Sequence, residues 1–196
     1  KPVKLNARRL REQYLPSSTD QSESFYVRVT VDGKIAGHVF ACRWMWGNLI
    51  ICWITQLVVD KDHRQEGLAT SLLRALGKNS DDIYGIMSSH PAACLAAAKA
   101  YGRTIEKVDL GFINETASKV LSTSPIPYIR DSKLCGTIFD ALDASGMVSG
   151  VNTHFFVDHK EPLEALEVVK DQWEWPLGSL PEGHEYLLIL AGKEWV

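Results

Sequence analysis

Hydrophobic and polar positions sort this chain into blocks of different period. "FYVRVTV" (25–31) alternates as a half-buried strand should, Asp32-Gly33 behind it is the strongest hairpin signal in the sequence, and "IAGHVFACRWMW" (35–46) reads as the returning strand. Gly47-Asn48 marks the next turn. "LIICWITQLVV" (49–59) is apolar on both faces and is predicted to be a central strand. Leu68, Leu72, Leu73 and Leu76 then recur at helical spacing. "IYGIMSS" (83–89) reads as a further buried strand, and His90-Pro91 opens a helix over "AACLAAAKAY", with Ser89 or His90 as its cap.

The two ends and the third quarter complete the pattern. Residues 5–15 (Leu5, Ala7, Leu10, Tyr14) suggest a short amphipathic helix closed by Pro16 and "SSTDQSES". Over 103–150, "NETASKVLSTS" reads as helical, "PIPY" as extended and "KLCGTIFDALD" as helical again. "GVNTHFFVDH" (150–159) is predicted to be a strand, "PLEALEVVKDQW" a helix started by Pro162, and "EYLLILAG" a closing strand. The sum is an α/β chain of the α+β type: a mixed, largely antiparallel sheet flanked by helices, with an enlarged helical region at about 103–150.

With 196 residues and 45% hydrophobic side chains, the chain suits one core, so a single domain over 1–196 is expected. The formal charge of -3 gives no long-range pull on nucleic acid or anionic lipid, and Arg8, Arg9 and Arg11 have the spacing of a solvated helix face. Neither nucleic acid nor membrane is expected as a partner. Cys42, Cys52, Cys94 and Cys135 show neither CxxC pairs nor zinc-site spacing, and read as buried thiols in a reducing compartment. No metal site is expected. Without a membrane-length apolar run or a signal-like leader, a cytoplasmic location is expected, a nuclear one being compatible. The first residue is Lys1, and elements upstream of it are expected.

The turn between the central strand and the Leu-rich helix holds little reactive chemistry. Its use lies in the backbone: a helix that starts straight after a central strand points free N–H groups and a positive dipole end into the crevice above the sheet. Gly67 leaves room for a phosphate to approach. Neither GxxxxGK[ST] nor GxGxxG is present. Asp60, Asp62 and Glu66 stand close to such an anion and are expected to point into solvent.

Leu57-Val58-Val59 followed by Arg64-Gln65-Glu66-Gly67-Leu68-Ala69 resembles the signature of the GNAT N-acetyltransferase superfamily, a strand ending in L-x-V and then [RQ]-x-x-G-x-[GA] opening a helix. The likeness is tight over about 53–76 and loose over 24–102. It implies acetyl-CoA, or another acyl-CoA, with its pyrophosphate on the amides of residues 64–70, Thr70 included. It also implies a pantetheine arm beside Leu57, Val58 and Val59, where this strand splays from the one ending at Ser88-Ser89. A main-chain N–H around Val58 or Val59 would serve as donor to the thioester oxygen. His90 replaces the family's usual Asn and would touch the pantetheine or simply cap its helix. The family's Tyr acid falls here on Ala98, with Tyr101 nearby.

For the base, Ser88 and Ser89 could hold a relaying water. His154 and Asp158 would share one strand face, with His159 on the opposite face and so unsuited to a joint metal site. "GMVSG" lacks the G-x-S-x-G order of a hydrolase elbow. Trp44, Met45 and Trp46 at a hairpin tip are candidates for a substrate or dimer surface, buried core being the alternative, and Trp173 and Trp175 are candidates to border the acceptor pocket. The resemblance implies an acyltransferase acting by direct attack of a primary amine, a small amine being favoured over a protein lysine or N-terminus. The alternative is a non-catalytic acyl-CoA sensor or scaffold.

Overall fold

The computed structural model describes residues 22–154, 156 and 158–192. The helix expected over 5–15, with its arginines, lies outside the described residues.

Seven strands form one sheet: β1 (Ser22–Val31), β2 (Lys34–Trp46), β3 (Leu49–Val59), β4 (Ile83–Ser88), β5 (Lys133–Cys135), β6 (Gly150–Asn152) and β7 (His184–Ala191). Their order is β1-β2-β3-β4-β7-β6-β5. Every neighbouring pair is antiparallel except β3 and β4. That parallel pair needs a crossover, and helix α1 (Leu68–Leu76) supplies it. The first hairpin closes at Asp32 and Gly33, both at positive φ (48° and 76°), as its sequence requires.

Alternation along the strands sorts side chains between two faces. On one face α1 packs against β1, β2 and β3, so closely at Gly37 that an added Cβ would stand 3.3 Å from Leu72 Cδ1. Helix α2 (Pro91–Ala100) lies beside it, with Tyr84 of β4 stacked on Tyr101 at 3.6 Å. The other face carries Trp44 and Trp53 and is covered by α3 (Leu110–Ser122), to whose C-cap Thr123 Oγ1 the Trp44 indole N–H donates at 3.1 Å. Trp53 lies over Gly85, where an added Cβ would come within 2.2 Å of its ring. The core thus sits on both sides of β3, β4 and β7, whose inner residues are buried.

Four expectations need correction. "PIPY" is not extended, because Pro127 opens a helical turn, α4 (Pro127–Arg130), and Ser124 Oγ accepts the Ile126 amide before it. "KLCGTIFDALD" is not a helix. Its start is β5, Gly136 sits at φ 112° where an added Cβ would run into the Val148 carbonyl, and the Asp140 and Asp143 carboxylates take nearby amides in turns. The 103–150 region is therefore helical only in part. The strand over 150–159 ends at Asn152, whose side-chain oxygen accepts the His154 amide at 3.0 Å while His154 turns to φ 54°. The last helix, α5 (Lys160–Lys170), starts two residues before Pro162, with Asp158 Oδ1 taking the Lys160 amide.

Candidate functional site

The parallel pairing of β3 with β4 runs from Ile51↔Ile83 to Ile54↔Ile86 and stops there. Beyond it β3 stays with β2 to Val59, and β4 stays with β7 to Ser88, so the two strands part in a V. The apex coincides with a β-bulge: Phe40 faces Gln56 and Ala41 faces Ile54, which leaves Thr55 as the extra residue. Past the bulge the Asp60 amide donates to the Ala36 carbonyl at 2.8 Å, on the β2 side. Residues alternate in the direction of their amides, so those of Leu57 and Val59 face the opening and that of Val58 faces β2. Of the two expected donor positions, the alternation leaves Val59 facing the gap and adds Leu57. The Thr55 hydroxyl, buried at the apex, has no hydrogen-bond partner among the described residues.

The turn after β3 runs through a short 3₁₀ turn, Lys61–His63, into α1. Gln65 and Gly67 both adopt positive φ, 66° and 80°. Gly67 is the N-cap of α1 and supplies no capping side chain, so among the described residues no side-chain cap bonds the first amides of the helix, at Leu68, Ala69 and Thr70. By contrast, His90 Nδ1 accepts the Ala92 amide at the start of α2, and Asp109 accepts the Phe112 amide at the start of α3. An added Cβ at Gly67 would meet nothing within 4 Å; it would stand in the open space above the amides. Such a start is a candidate cradle for an anion, one that a side chain at residue 67 would fill.

Charged neighbours frame the cradle. Arg64 pairs with Glu161 in the first turn of α5, which holds the Glu161 carboxyl below its ordinary range. Glu66 turns aside to His63 at 3.3 Å, and Asp60 and Asp62 are exposed, as expected of carboxylates beside an anion. His90, half-buried, has its pKa lowered by burial, an effect the Glu161 carboxylate opposes.

Next to the cradle a cavity of about 500 Å³ opens between the start of α1 and α2, reaching Val59 on one side and Trp173 on the other. Lys99 and Arg103 line it. Neither was sought in the sequence, although Ala92, Leu95, Ala96, Lys99 and Arg103 recur at helical spacing. The residues present therefore fit a ligand with a pyrophosphate, a further phosphate and an extended amide-bearing arm.

The expected side-chain catalysts are placed less helpfully. Tyr101 is the C-cap of α2, its hydroxyl donating to the Leu73 carbonyl of α1 at 3.3 Å, away from the cradle, and its pKa pushed up by burial. Ala98 is buried. His154 is exposed and Asp158 caps α5, so the structure does not bring them together on a strand. Ser88 is tied to the His90 backbone, while Ser89, half-buried, follows it at the open end of β4. The structure adds Glu185, which sits on β7 just past the last β4 pair, Ser88↔Tyr186. Burial pushes its carboxyl up from the ordinary range, and the Thr153 hydroxyl pulls weakly the other way. Among the described residues no three His, Cys, Asp or Glu side chains converge as a metal site needs. No helix among them is long and apolar enough to cross a membrane.

Residues 3–86, which end inside β4, match the family described as "Acetyltransferase (GNAT) family". No curated protein and no solved structure matches the chain.

Proposed function

On the premise of GNAT superfamily membership, which the match over 3–86 and the mixed, largely antiparallel sheet support together, we propose that this protein transfers an acetyl group from acetyl-CoA to a primary amine. The acyl thioester supplies an activated carbonyl carbon; the chain supplies its placement. The amides of Gln65 to Thr70 hold the pyrophosphate, with Gly67 leaving the approach open. Lys99 and Arg103 face the remaining phosphate of the nucleotide end. Leu57 and Val59 pair with the amide-bearing arm as a neighbouring strand would, and the same row of N–H groups stabilises negative charge on the carbonyl oxygen during attack. Ser89 is available to hold a water at the acyl end, and His90 lies beside the arm at the head of α2.

The observation that carries this reading is the uncapped start of α1 standing directly beside the β3–β4 opening. A small amine is the favoured acceptor, approached from the face opposite α1, and a protein amino group is the other acceptor class. Calorimetry with acetyl-CoA and with desulfo-CoA tests the binding step. Equal, saturable binding of both is expected, and no heat with either would overturn the proposal.

One observation favours a second reading. Tyr101 is held by Leu73 and Tyr84 and Ala98 is buried, so α2 presents no acid to the sulfur. A domain that binds acyl-CoA as a sensor would look like this. Amine-dependent release of free thiol separates the two readings.

A further inference from the structure

We infer that the Glu185 carboxylate, at the start of β7, receives the ammonium group of the acceptor and takes its proton. The inference rests on the acyl-transfer reading above and adds to it the acceptor's class, an aliphatic primary amine, and the group that deprotonates it.

Placement is the first argument. Glu185 stands one residue beyond the Ser88↔Tyr186 pair, opposite Ser89, at the level where β3 has already parted from β4. It shares a face with Leu187, and Leu187 pairs with Met87, which shares the face of Gly85 and Trp53. That is the α3 face, opposite the one that carries α1 and its cradle. A thioester held from the α1 side and an amine arriving from the α3 side meet at the opening between them.

Charge is the second. Glu185 is half-buried, and among the described residues no Lys, Arg or His forms an ion pair with it. The Thr153 hydroxyl beyond β6 acts on it and is not a cation, and the carboxylate in turn raises the pKa of the Cys94 thiol on α2. A desolvated carboxylate without a counter-charge is unfavourable unless a ligand brings one. An alkylammonium does so. Burial also raises the Glu185 pKa, which brings it closer to the pH at which a base must work. At the entrance Phe156, 67% exposed, packs over Gly183 and offers an apolar rest for the body of the amine.

The step balances as follows. The ammonium gives one proton to the Glu185 carboxylate; the free amine attacks the thioester carbon, forming C–N; the C–S bond breaks and its electron pair leaves on sulfur. The second amine proton goes to that thiolate, and the Glu185 carboxylic acid returns its proton to water.

The test is thiol release from acetyl-CoA with phenethylamine, spermidine and Nα-acetyl-lysine as acceptors, alongside calorimetry with acetyl-CoA on the same samples. At least one amine should accelerate release by the wild type. Glu185→Gln should bind acetyl-CoA normally, lose about 100-fold in kcat/KM, and lose the rise of kcat/KM with pH that Glu185 ionisation gives the wild type. Glu185→Asp should recover part of the rate. Three results overturn the inference: a Glu185→Gln rate within about threefold of wild type, no acceleration by any amine from an enzyme that binds acetyl-CoA, or loss of acetyl-CoA binding in Glu185→Gln, which would make the residue structural. Failure of the wild type to bind acetyl-CoA is a different result, and removes the acyl-transfer reading along with this one.

Discussion

Arg43 on β2 and Asp81 ahead of β4 are joined at two points, Nε to Oδ1 at 2.6 Å and Nη2 to Oδ2 at 2.8 Å, with both side chains almost wholly buried. Nη2 also donates to the Leu76 carbonyl at the end of α1, and Asp81 accepts the Lys78 amide. The pair thus ties three elements together at the paired end of β3 and β4, opposite the end where they open. Removing one partner leaves a buried charge uncompensated, so Asp81→Asn should lower the unfolding free energy by about 3–5 kcal/mol. Urea titration reads this; a loss under about 1 kcal/mol, the range of an exposed pair, would contradict it.

Gly85 lies under the Trp53 ring, where a Cβ would come within 2.2 Å. Gly85→Ala must push the indole or the strand aside, at a cost of about 1–3 kcal/mol. Tryptophan fluorescence during denaturation should show the loss together with a shifted native spectrum.

Gly67→Val puts a branched side chain at φ 80° and fills the space over the α1 amides. Because the residue lies on an exposed turn, the fold should persist while acetyl-CoA affinity falls at least tenfold, about 1.4 kcal/mol. Calorimetry with a circular-dichroism control would check both halves.

Lys99→Glu combined with Arg103→Glu should weaken CoA more than dephospho-CoA, because these cations line the cavity next to the cradle. Comparing the two ligands on wild type and variant isolates the contribution of the extra phosphate. An equal loss for both would move that phosphate elsewhere.

Burial raises the Glu185 pKa in the folded chain. The folded state then holds its proton to higher pH than the unfolded state, so stability falls as pH rises from the unfolded pKa through the folded one. Glu185→Gln should therefore raise Tm at pH 8 and change it little at pH 4. A lower Tm at pH 8 would mean that the carboxylate is stabilised by contacts the geometry does not include.

Burial also pushes the Cys42, Cys52 and Cys94 thiols up, to about 11, 12 and 12. Iodoacetamide on the native protein near pH 8 should label the partly exposed Cys135 first, as peptide mass spectrometry would show.

The parts of this molecule that were legible in the sequence are those whose cause is local. The hairpin at Asp32-Gly33, the strand that ends at Val59 and the Leu-spaced helix behind Gly67 each carry their reason within a few residues, and so does the uncapped helix start that the candidate site rests on. Glu185 was not legible, because its desolvation depends on neighbours such as β6 that are distant in the chain, and "EYLLILAG" alone offers only a polar residue at a strand's start. His154 and Asp158 were misplaced for the opposite reason. A local hydrogen bond from the His154 amide to Asn152 ended a strand whose apolar pattern ran on. The partners of Tyr101, Leu73 and Tyr84, were not legible, because helical phase says nothing of which neighbour claims a side chain.

The extra residue at Thr55 divides one strand into two lengths of opposite phase. Ahead of it β3 is sewn to both neighbours; behind it, among the described residues, one flank is left bare in the middle of the sheet, where unpaired backbone is normally confined to the rim. The sheet thereby reserves one more berth than the chain has strands to fill. Any guest that lies in that berth must bring its own ladder of donors and acceptors, and while it stays it seals a seam that would otherwise invite a stray strand from another molecule.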